Sequence, residues 1–175
     1  MKNHEKKLIG YMVFFTALFA AYQTFSATQT GANKENMISR QSVRKSIDDV
    51  YDNVMFELKN EGFSIVKEIN IGHNLKKDSI EKKWKNYNKN KLVGIRTAIV
   101  CSGVTANSIS NADPNMISIC PLHVTITQKG EWTKVDFVRP SMIAKGTRAE
   151  KVAVKLENRL NSAIHKGLFS WESPR

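Results

Sequence analysis

Apolar residues recur every three or four positions in two long stretches of the chain, and each stretch predicts a helix that packs one face against a core. The first stretch runs from Val43 to Leu58, and Gly62 follows it as a residue suited to end a helix. The second covers residues 148–166 and closes the domain. A shorter stripe, which predicts a third and short helix, is formed by Leu75, Ile80, Trp84 and Tyr87.

Four other stretches alternate between apolar and polar residues with the period of two that is typical of strands. They cover residues 63–70, 94–101, 121–127 and 132–138. In the first of them, Phe63, Ile65 and Ile69 share one face, and Glu68 lies on the other, polar face. Between the last two, Gly130 offers a backbone that can adopt positive φ, so these strands are predicted to form a hairpin.

The order of these elements predicts an α+β fold in which a single antiparallel sheet carries helices on one face. A length of 175 residues with 41% hydrophobic content suits one domain with one core. The sequence has no regular alternation of strands and helices and no G-x-G-x-x-G motif. A doubly wound nucleotide-binding sheet is therefore disfavoured.

The N-terminus has the organisation of an export signal. Three lysines and one glutamate precede an apolar run from Leu8 to Tyr22, and small residues follow that run. Because the run is short for a helix that spans a bilayer, a cleaved signal and a periplasmic or secreted protein are predicted, with a retained membrane anchor as the alternative. The predicted segments are a signal peptide (1–27), a flexible spacer (28–36), the domain (37–167) and a C-terminal tail (168–175).

The chain is strongly basic, with a formal net charge of +11. Loss of residues 1–27 would remove three lysines and one glutamate, which leaves about +9, still enough to attract anions. In an envelope compartment the available anions are lipid headgroups, cell-wall polymers and small acidic solutes. Nucleic acid is therefore disfavoured as a partner.

The most basic segment runs from Lys76 to Lys91 and has Trp84 and Tyr87 among its lysines. Lysines interleaved with aromatic residues can contact phosphates and stack on bases. They are also typical of the solvated side of a helix, which is the favoured interpretation here. Binding to an anionic surface, such as lipid, stays the alternative. The lysines predicted to contact that surface are Lys76, Lys77, Lys82, Lys83 and Lys85.

Four short motifs resemble, in their order and spacing, those of the domain of unknown function 302 family. They are NEGF after the first helix, KEIN at the end of the first strand, AIVCSGVTA, and ADPNMISICPLHVTI before the hairpin. The resemblance covers residues 37–164 and implies a TATA-binding-protein-like β-α-β-β-β-β-α arrangement. It also implies a homodimer, since members are often seen as dimers, and it brings no established activity.

The family's residues can be matched to this chain one by one. Its Glu and Asp at the end of the first strand fall on Glu68 and Asn70, and its first cysteine falls on Cys101. Its second cysteine falls on Leu122, whereas this chain has Cys120 on the other side of the intervening proline. These departures put in doubt any chemistry that depends on the family's usual cysteine pair.

Cys101 and Cys120 are the chain's two cysteines, and the predicted strands bring the end of one next to the start of the other. In an exported protein two neighbouring cysteines are expected to form a disulfide, which would add about 3 kcal/mol of stability. Two buried free thiols are a second interpretation. A third is a redox or Cu(I) site in which both thiols meet His123 and Met116, since thiolate, imidazole and thioether suit that ion. His123 itself is expected to face solvent or a dimer partner.

The sequence favours a non-catalytic envelope module that binds a small or apolar ligand, or a protein partner, between the sheet and the helices. It has no G-x-S-x-G motif and no H-x-x-x-H pair, and Glu68 has no second carboxylate in its strand, so we predict no catalytic residue and no cofactor. The alternatives are the redox or copper-handling protein and the anionic-surface binder. The residues predicted to bind the ligand are Glu68, Asn70, Cys101, Cys120 and His123.

Overall fold

A computed structural model of the protein describes residues 37–169, and its centre is a five-stranded antiparallel sheet. The strands are β1 (Ile38–Val43), β2 (Ser64–Ile69), β3 (Gly94–Cys101), β4 (Leu122–Lys129) and β5 (Trp132–Val138). The helices are α1 (Ile47–Asn60), α2 (Ile71–Glu81), α3 (Gly103–Ala112), α4 (Pro140–Ile143) and α5 (Glu150–Phe169), with a 3₁₀ helix at Pro114–Ile119. The strands lie in the order β1-β5-β4-β3-β2. The predicted α+β fold is confirmed.

The two long helices, α1 and α5, pack against each other and against one face of the sheet. Their buried stripes are those predicted from the sequence, and they include Val50, Val54, Leu58, Leu156, Leu160 and Ile164. The sheet contributes Ala98, Val100, Val124 and Ile126, which are fully buried. Full burial of one such branched side chain contributes about 1.5–3 kcal/mol, so these stripes, more than helix propensity, hold α1 and α5 in place.

The first strand, β1, was not predicted from the alternation of residues, because its sequence ISRQSV is mostly polar. It pairs with β5 at the edge of the sheet. Its polar side chains on the helix side bond to α5 instead of packing: the Ser39 hydroxyl donates to Asn161 Oδ1 (2.7 Å), and Gln41 Nε2 donates to the Asn161 carbonyl (3.1 Å). Hydrogen bonds therefore replace the apolar face that a pattern search needs.

Strand β2 contains a bulge at Val66, and the bulge corrects the predicted faces. Ile65 lies opposite the buried Val100 of β3, but the register then shifts by one residue. Ile69 consequently lies on the other face from Ile65, and the prediction that they share a face is wrong. Glu68, opposite Ala98, lies on the face that the helices cover.

The second helix is shorter than the stripe from Leu75 to Tyr87 suggested. α2 ends at Glu81, and Trp84 and Tyr87 stand in the loop of residues 82–93 that leads to β3. The helix cannot continue because this loop adopts left-handed backbone at three residues, Lys83 (φ 52°), Asn88 (φ 47°) and Lys91 (φ 54°). The prediction that all four residues of this stripe lie on one face of a single helix is therefore wrong.

The remaining elements agree with the sequence patterns. The hairpin of β4 and β5 is confirmed, with Lys129 opposite Trp132 and Gly130 at φ 56°. The closing helix is confirmed as α5. The predicted signal peptide, the spacer and residues 170–175 of the tail lie outside the described residues. Within residues 37–169, no helix combines the length and the apolar character needed to cross a bilayer.

Candidate functional site

A cavity of about 650 Å³ opens at one end of the sheet, where α2, the 82–93 loop, the start of β3 and the first turn of α1 meet. Its apolar lining includes Ile47, Leu75, Trp84, Tyr87, Val93 and Ile95. Its polar lining includes Asp48, Asn70, His73, Lys76, Lys89 and Arg96. Binding sites for small molecules commonly have this size and combine apolar side chains with polar groups that orient the ligand.

The cavity exists because β2 is shorter than β3. The pairing of β2 with β3 stops at Ile69, opposite Thr97, so residues 94–96 extend past β2 at the edge of the sheet. α2 packs there instead, and it approaches closely because Gly72 has no side chain. A Cβ atom on Gly72 would lie 3.1 Å from the backbone nitrogen of Ile95. This close packing forms one wall of the cavity.

The opposite wall, the 82–93 loop, is closed by reciprocal hydrogen bonds of Asn88. Its side-chain Nδ2 donates to the Leu92 carbonyl (2.9 Å), and its Oδ1 accepts from the Leu92 backbone N–H (2.8 Å). Asparagine adopts the left-handed conformation found here more readily than most residues. The end of the loop is joined to the sheet, since the Val93 N–H donates to the Gln128 carbonyl (2.8 Å). The loop is thus built as a defined wall.

The charges that line the cavity are mostly positive. Arg96 donates to Asp48 Oδ1 (3.0 Å), and its guanidinium carbon lies 3.5 Å from the centroid of the Tyr51 ring. Lys76 and Lys89 have no carboxylate partner in the part of the chain that the structure describes. The first turn of α2 also faces the cavity and contains no acidic residue. Because a helix N-terminus carries partial positive charge, the site favours anions.

Tyr51 is buried behind Arg96, and its environment disfavours ionisation. Its phenolic oxygen has no hydrogen bond of normal geometry among the described residues. Burial, followed by the charge of nearby Glu68, raises the pKa of Tyr51 to about 12. The bulge in β2 causes this proximity, because it brings Glu68 to the helix-covered face of the sheet.

The raised pKa predicts a loss of stability at alkaline pH. An unfolded tyrosine ionises near pH 10, whereas Tyr51 in the folded protein stays protonated to about pH 12. The contribution of Tyr51 to the free energy of unfolding is therefore fully present below pH 10 and is lost as the pH rises from 10 to 12. Tyr51→Phe removes this dependence. Urea unfolding should show the variant gaining about 1 kcal/mol relative to the unaltered protein between pH 9 and pH 11. If the difference in unfolding free energy between the two proteins were the same at pH 9 and pH 11, the raised pKa of Tyr51 would be contradicted.

The cysteines lie at the other end of β3, away from the cavity. Cys101 ends β3 and Cys120 precedes β4, and both are free, half-buried thiols. Burial, and then the charge and hydrogen bonding of Cys101, raise the pKa of the Cys120 thiol. The two thiols are thus neighbours, but the structure does not hold them at disulfide distance, so the predicted bond is not shown. No group of three His, Cys, Asp or Glu among residues 37–169 could hold a metal ion, and Met116 packs against the core.

The five residues predicted to bind a ligand are not brought together. Only Asn70 lines the cavity, where its side chain accepts from the His73 N–H (2.9 Å) and caps α2. Glu68 lies beside Tyr51, and His123 is exposed, as expected, opposite Ile99. The pair Cys101 and Cys120 lies at the far end of β3.

Among the predicted anion-binding lysines, one lines the cavity. That residue is Lys76, while Lys77 pairs with Glu81 (3.9 Å) and Lys82 pairs with Asp78 (2.9 Å) on the outer surface of α2. That Trp84, Tyr87 and Lys89 form a cavity wall was not predicted from the sequence. The aromatic residues among the lysines are a signal of this wall, but their spacing is also that of a helical stripe.

The fold of this chain is similar to that of a solved structure. No curated protein matches the chain. The crystal structure of an uncharacterized conserved DUF302 protein from Bacillus stearothermophilus is similar over 74% of this chain and 97% of that one, with 18% identity and a TM-score of 0.63. At this identity the likeness shows the fold. Almost nothing in the crystallised chain lies outside the matched part.

The sequence profile of the family described as "Domain of unknown function DUF302" matches residues 38–167. The match spans all five strands, most of α5 and every element that lines the cavity. It also contains the motifs in which the resemblance was first seen, from NEGF to the hairpin. The cavity lies within the matched residues, and the chain belongs to the DUF302 family.

Proposed function

We propose that the protein is an exported, non-catalytic module that binds a small amphiphile, a molecule with an apolar part and an anionic group, in the cavity. The observation that carries this proposal is the lining, in which aromatic and aliphatic side chains meet three cationic ones around about 650 Å³. Export is proposed on the N-terminal pattern of lysines followed by apolar residues.

The apolar part of the ligand would contact Trp84 and Tyr87 of the loop and Ile95 of β3. Trp84 is 43% exposed and Tyr87 39%, which are large fractions for residues that line a cavity. Covering apolar surface contributes about 25 cal/mol per Å² removed from water. An alkyl chain or a ring system seated against these side chains would therefore gain most of its binding free energy here.

The anionic group of the ligand would contact Lys76 and Lys89. Both side chains are exposed and have no carboxylate partner among the described residues, so they are available to a ligand. Arg96 also lines the cavity and adds to its positive potential, although Asp48 neutralises part of its charge. A carboxylate or a phosphate would satisfy this arrangement, whereas a cation of the same size would be repelled.

The redox or copper-handling alternative rests on fewer observations. Cys101 and Cys120 are neighbours, but a raised thiol pKa lowers the fraction of thiolate, which is the nucleophile and metal ligand. Neither cysteine lines the cavity. The double substitution Cys101→Ser/Cys120→Ser is therefore expected to leave amphiphile binding unchanged.

Calorimetric titration with two amphiphiles of nearly equal tail length and opposite head charge tests the proposal. Dodecanoate, kept below its micellar concentration, is expected to bind, and dodecyltrimethylammonium is expected to bind at least about tenfold more weakly because its head has the opposite charge. Trp84→Ala should weaken dodecanoate binding by about tenfold through loss of buried apolar area. Lys89→Glu should weaken the binding of dodecanoate and strengthen the binding of dodecyltrimethylammonium.

The matched control for the aromatic substitution is Trp132→Ala. Trp132 is 49% exposed in β5, lies outside the cavity and contacts Arg44, so its loss should not change either titration. Equal binding of the two probes, or equal effects of Trp84→Ala and Trp132→Ala, would refute an anion-selective site in this cavity.

A further inference from the structure

The mouth of the cavity combines exposed apolar residues with lysines that have no carboxylate partner among residues 37–169. Trp84, Tyr87 and Val93 line the cavity and also reach solvent, and Val93 is 67% exposed. Ile80, in the last turn of α2 and four residues before Trp84, is 68% exposed. Large aliphatic side chains with this exposure usually mark a contact surface when they cluster. We call the surface of residues 76–93 around the cavity opening the mouth.

The mouth is also strongly basic. Seven lysines and two acidic residues lie between residues 76 and 91, and all seven lysines are exposed. The two acidic residues pair with Lys77 and Lys82. The lysines without a carboxylate partner in the described part of the chain are Lys76, Lys83, Lys85, Lys89 and Lys91. The mouth thus presents five uncompensated positive charges around its apolar residues.

We infer that the mouth docks on an anionic lipid bilayer, with Ile80, Trp84 and Val93 at the level of the headgroups and the lysines against the lipid phosphates. Trp and Tyr are the aromatic residues that favour the boundary between headgroups and acyl chains. Each lysine near an anionic bilayer surface contributes about a fivefold increase in partitioning. An amphiphile bound as proposed above would then pass between the membrane and the cavity without crossing water. This transfer rests on the proposed function.

The aliphatic residues favour a bilayer over nucleic acid as the occupant. A nucleic-acid surface of this kind would use its aromatic rings for stacking and its lysines for phosphates. Ile80 and Val93 are the most exposed of the large apolar residues of the mouth, and neither can stack on a base. Aliphatic side chains beside lysines and tryptophan are what an interfacial membrane contact requires.

Vesicle co-sedimentation of residues 28–175 tests the inference, because this chain lacks the N-terminal apolar run and holds the whole matched domain. Binding is expected to an equal mixture of phosphatidylcholine and phosphatidylglycerol, to be much weaker to phosphatidylcholine alone, and to fall with added salt. Lys85→Glu/Lys91→Glu should weaken partitioning by at least about twenty-fivefold.

The matched charge control is Lys151→Glu/Lys155→Glu, which makes the same change in net charge on exposed lysines of α5. It should weaken partitioning by less than about threefold. Ile80→Ala should weaken it by about tenfold, whereas Ile143→Ala, which truncates an isoleucine that is 43% exposed on α4, should not. Equal effects within either pair would overturn the docking surface, as would partitioning that is unaffected by Ile80→Ala and abolished by competing nucleic acid.

The vesicle measurement fails separately from the proposed function. Dodecanoate binding with no vesicle binding would overturn the docking inference and leave the cavity as a site for a soluble amphiphile. Vesicle binding with the expected variant effects but no dodecanoate binding would support the docking surface and refute the proposed ligand.

Discussion

Replacement of Gly167 by alanine is expected to lower the free energy of unfolding by at least about 2 kcal/mol. Gly167 lies in the last turns of α5, where this helix crosses α1. A Cβ atom there would stand 2.7 Å from Cα and 2.9 Å from the backbone nitrogen of Val54. Because these contacts are with backbone, no side chain can rotate away, and the two helices must separate. Equilibrium urea denaturation of both proteins measures the loss.

The control for this substitution is Gly103→Ala at the first residue of α3. No atom lies within 4 Å of a Cβ at that position, and the residue is helical. Alanine there should be neutral or stabilising by up to about 1 kcal/mol, since it limits the unfolded chain without strain. Equal destabilisation by Gly103→Ala and Gly167→Ala would show that the close crossing of α1 and α5 is not the cause.

Replacement of Glu157 by alanine is expected to cost about 3 kcal/mol of unfolding free energy. Its side chain is 7% exposed in α5, and it joins that helix to the segment that begins α4. One carboxylate oxygen accepts from Arg139 Nε (2.7 Å), and the other accepts from the backbone N–H of Ser141 (3.1 Å) and from its hydroxyl. Removing the buried carboxylate takes the acceptor away from these partly buried donors, and the loss of such a hydrogen-bond partner is costly.

Two further variants separate the charge of Glu157 from its position. Glu157→Gln keeps a hydrogen-bond acceptor and should lose only about half as much stability. Glu131→Ala breaks the ion pair with Arg44, in which the two side chains are 73% and 65% exposed, and should change stability by less than about 1 kcal/mol. Thermal denaturation of the three variants gives the order directly. A loss for Glu131→Ala as large as that for Glu157→Ala would contradict the role of burial.

The elements that the sequence predicted well are those whose apolar period matches their burial. α1, α5 and the β4–β5 hairpin follow this rule, because each turns one regular stripe toward the core. β1 does not follow it, since its inward residues Ser39 and Gln41 are held by hydrogen bonds to Asn161. β2 changes faces at the bulge, and a bulge leaves no mark in a pattern of period two.

The candidate site was harder to predict because it depends on where elements end. Trp84 and Tyr87 fit a helical stripe, but α2 ends at Glu81 and leaves both in the loop that forms a cavity wall. The space also requires β2 to stop short of the start of β3, which only the strand register reveals. The family resemblance pointed to both ends of β3, because its motifs match Asn70, which lines the cavity, and Cys101, which lies at the far end.

The central claim, that the cavity binds an anionic amphiphile, is tested most directly by mapping the backbone amide signals of ¹⁵N-labelled residues 28–175 during titration with dodecanoate. The largest shifts are expected at Gly72, Asn88 and Gly94, which line the cavity from three elements. Small shifts are expected around Cys101 and Leu122, at the far end of β3 and the start of β4. No shift at the three cavity residues, or the largest shifts at the cysteine end, would contradict it.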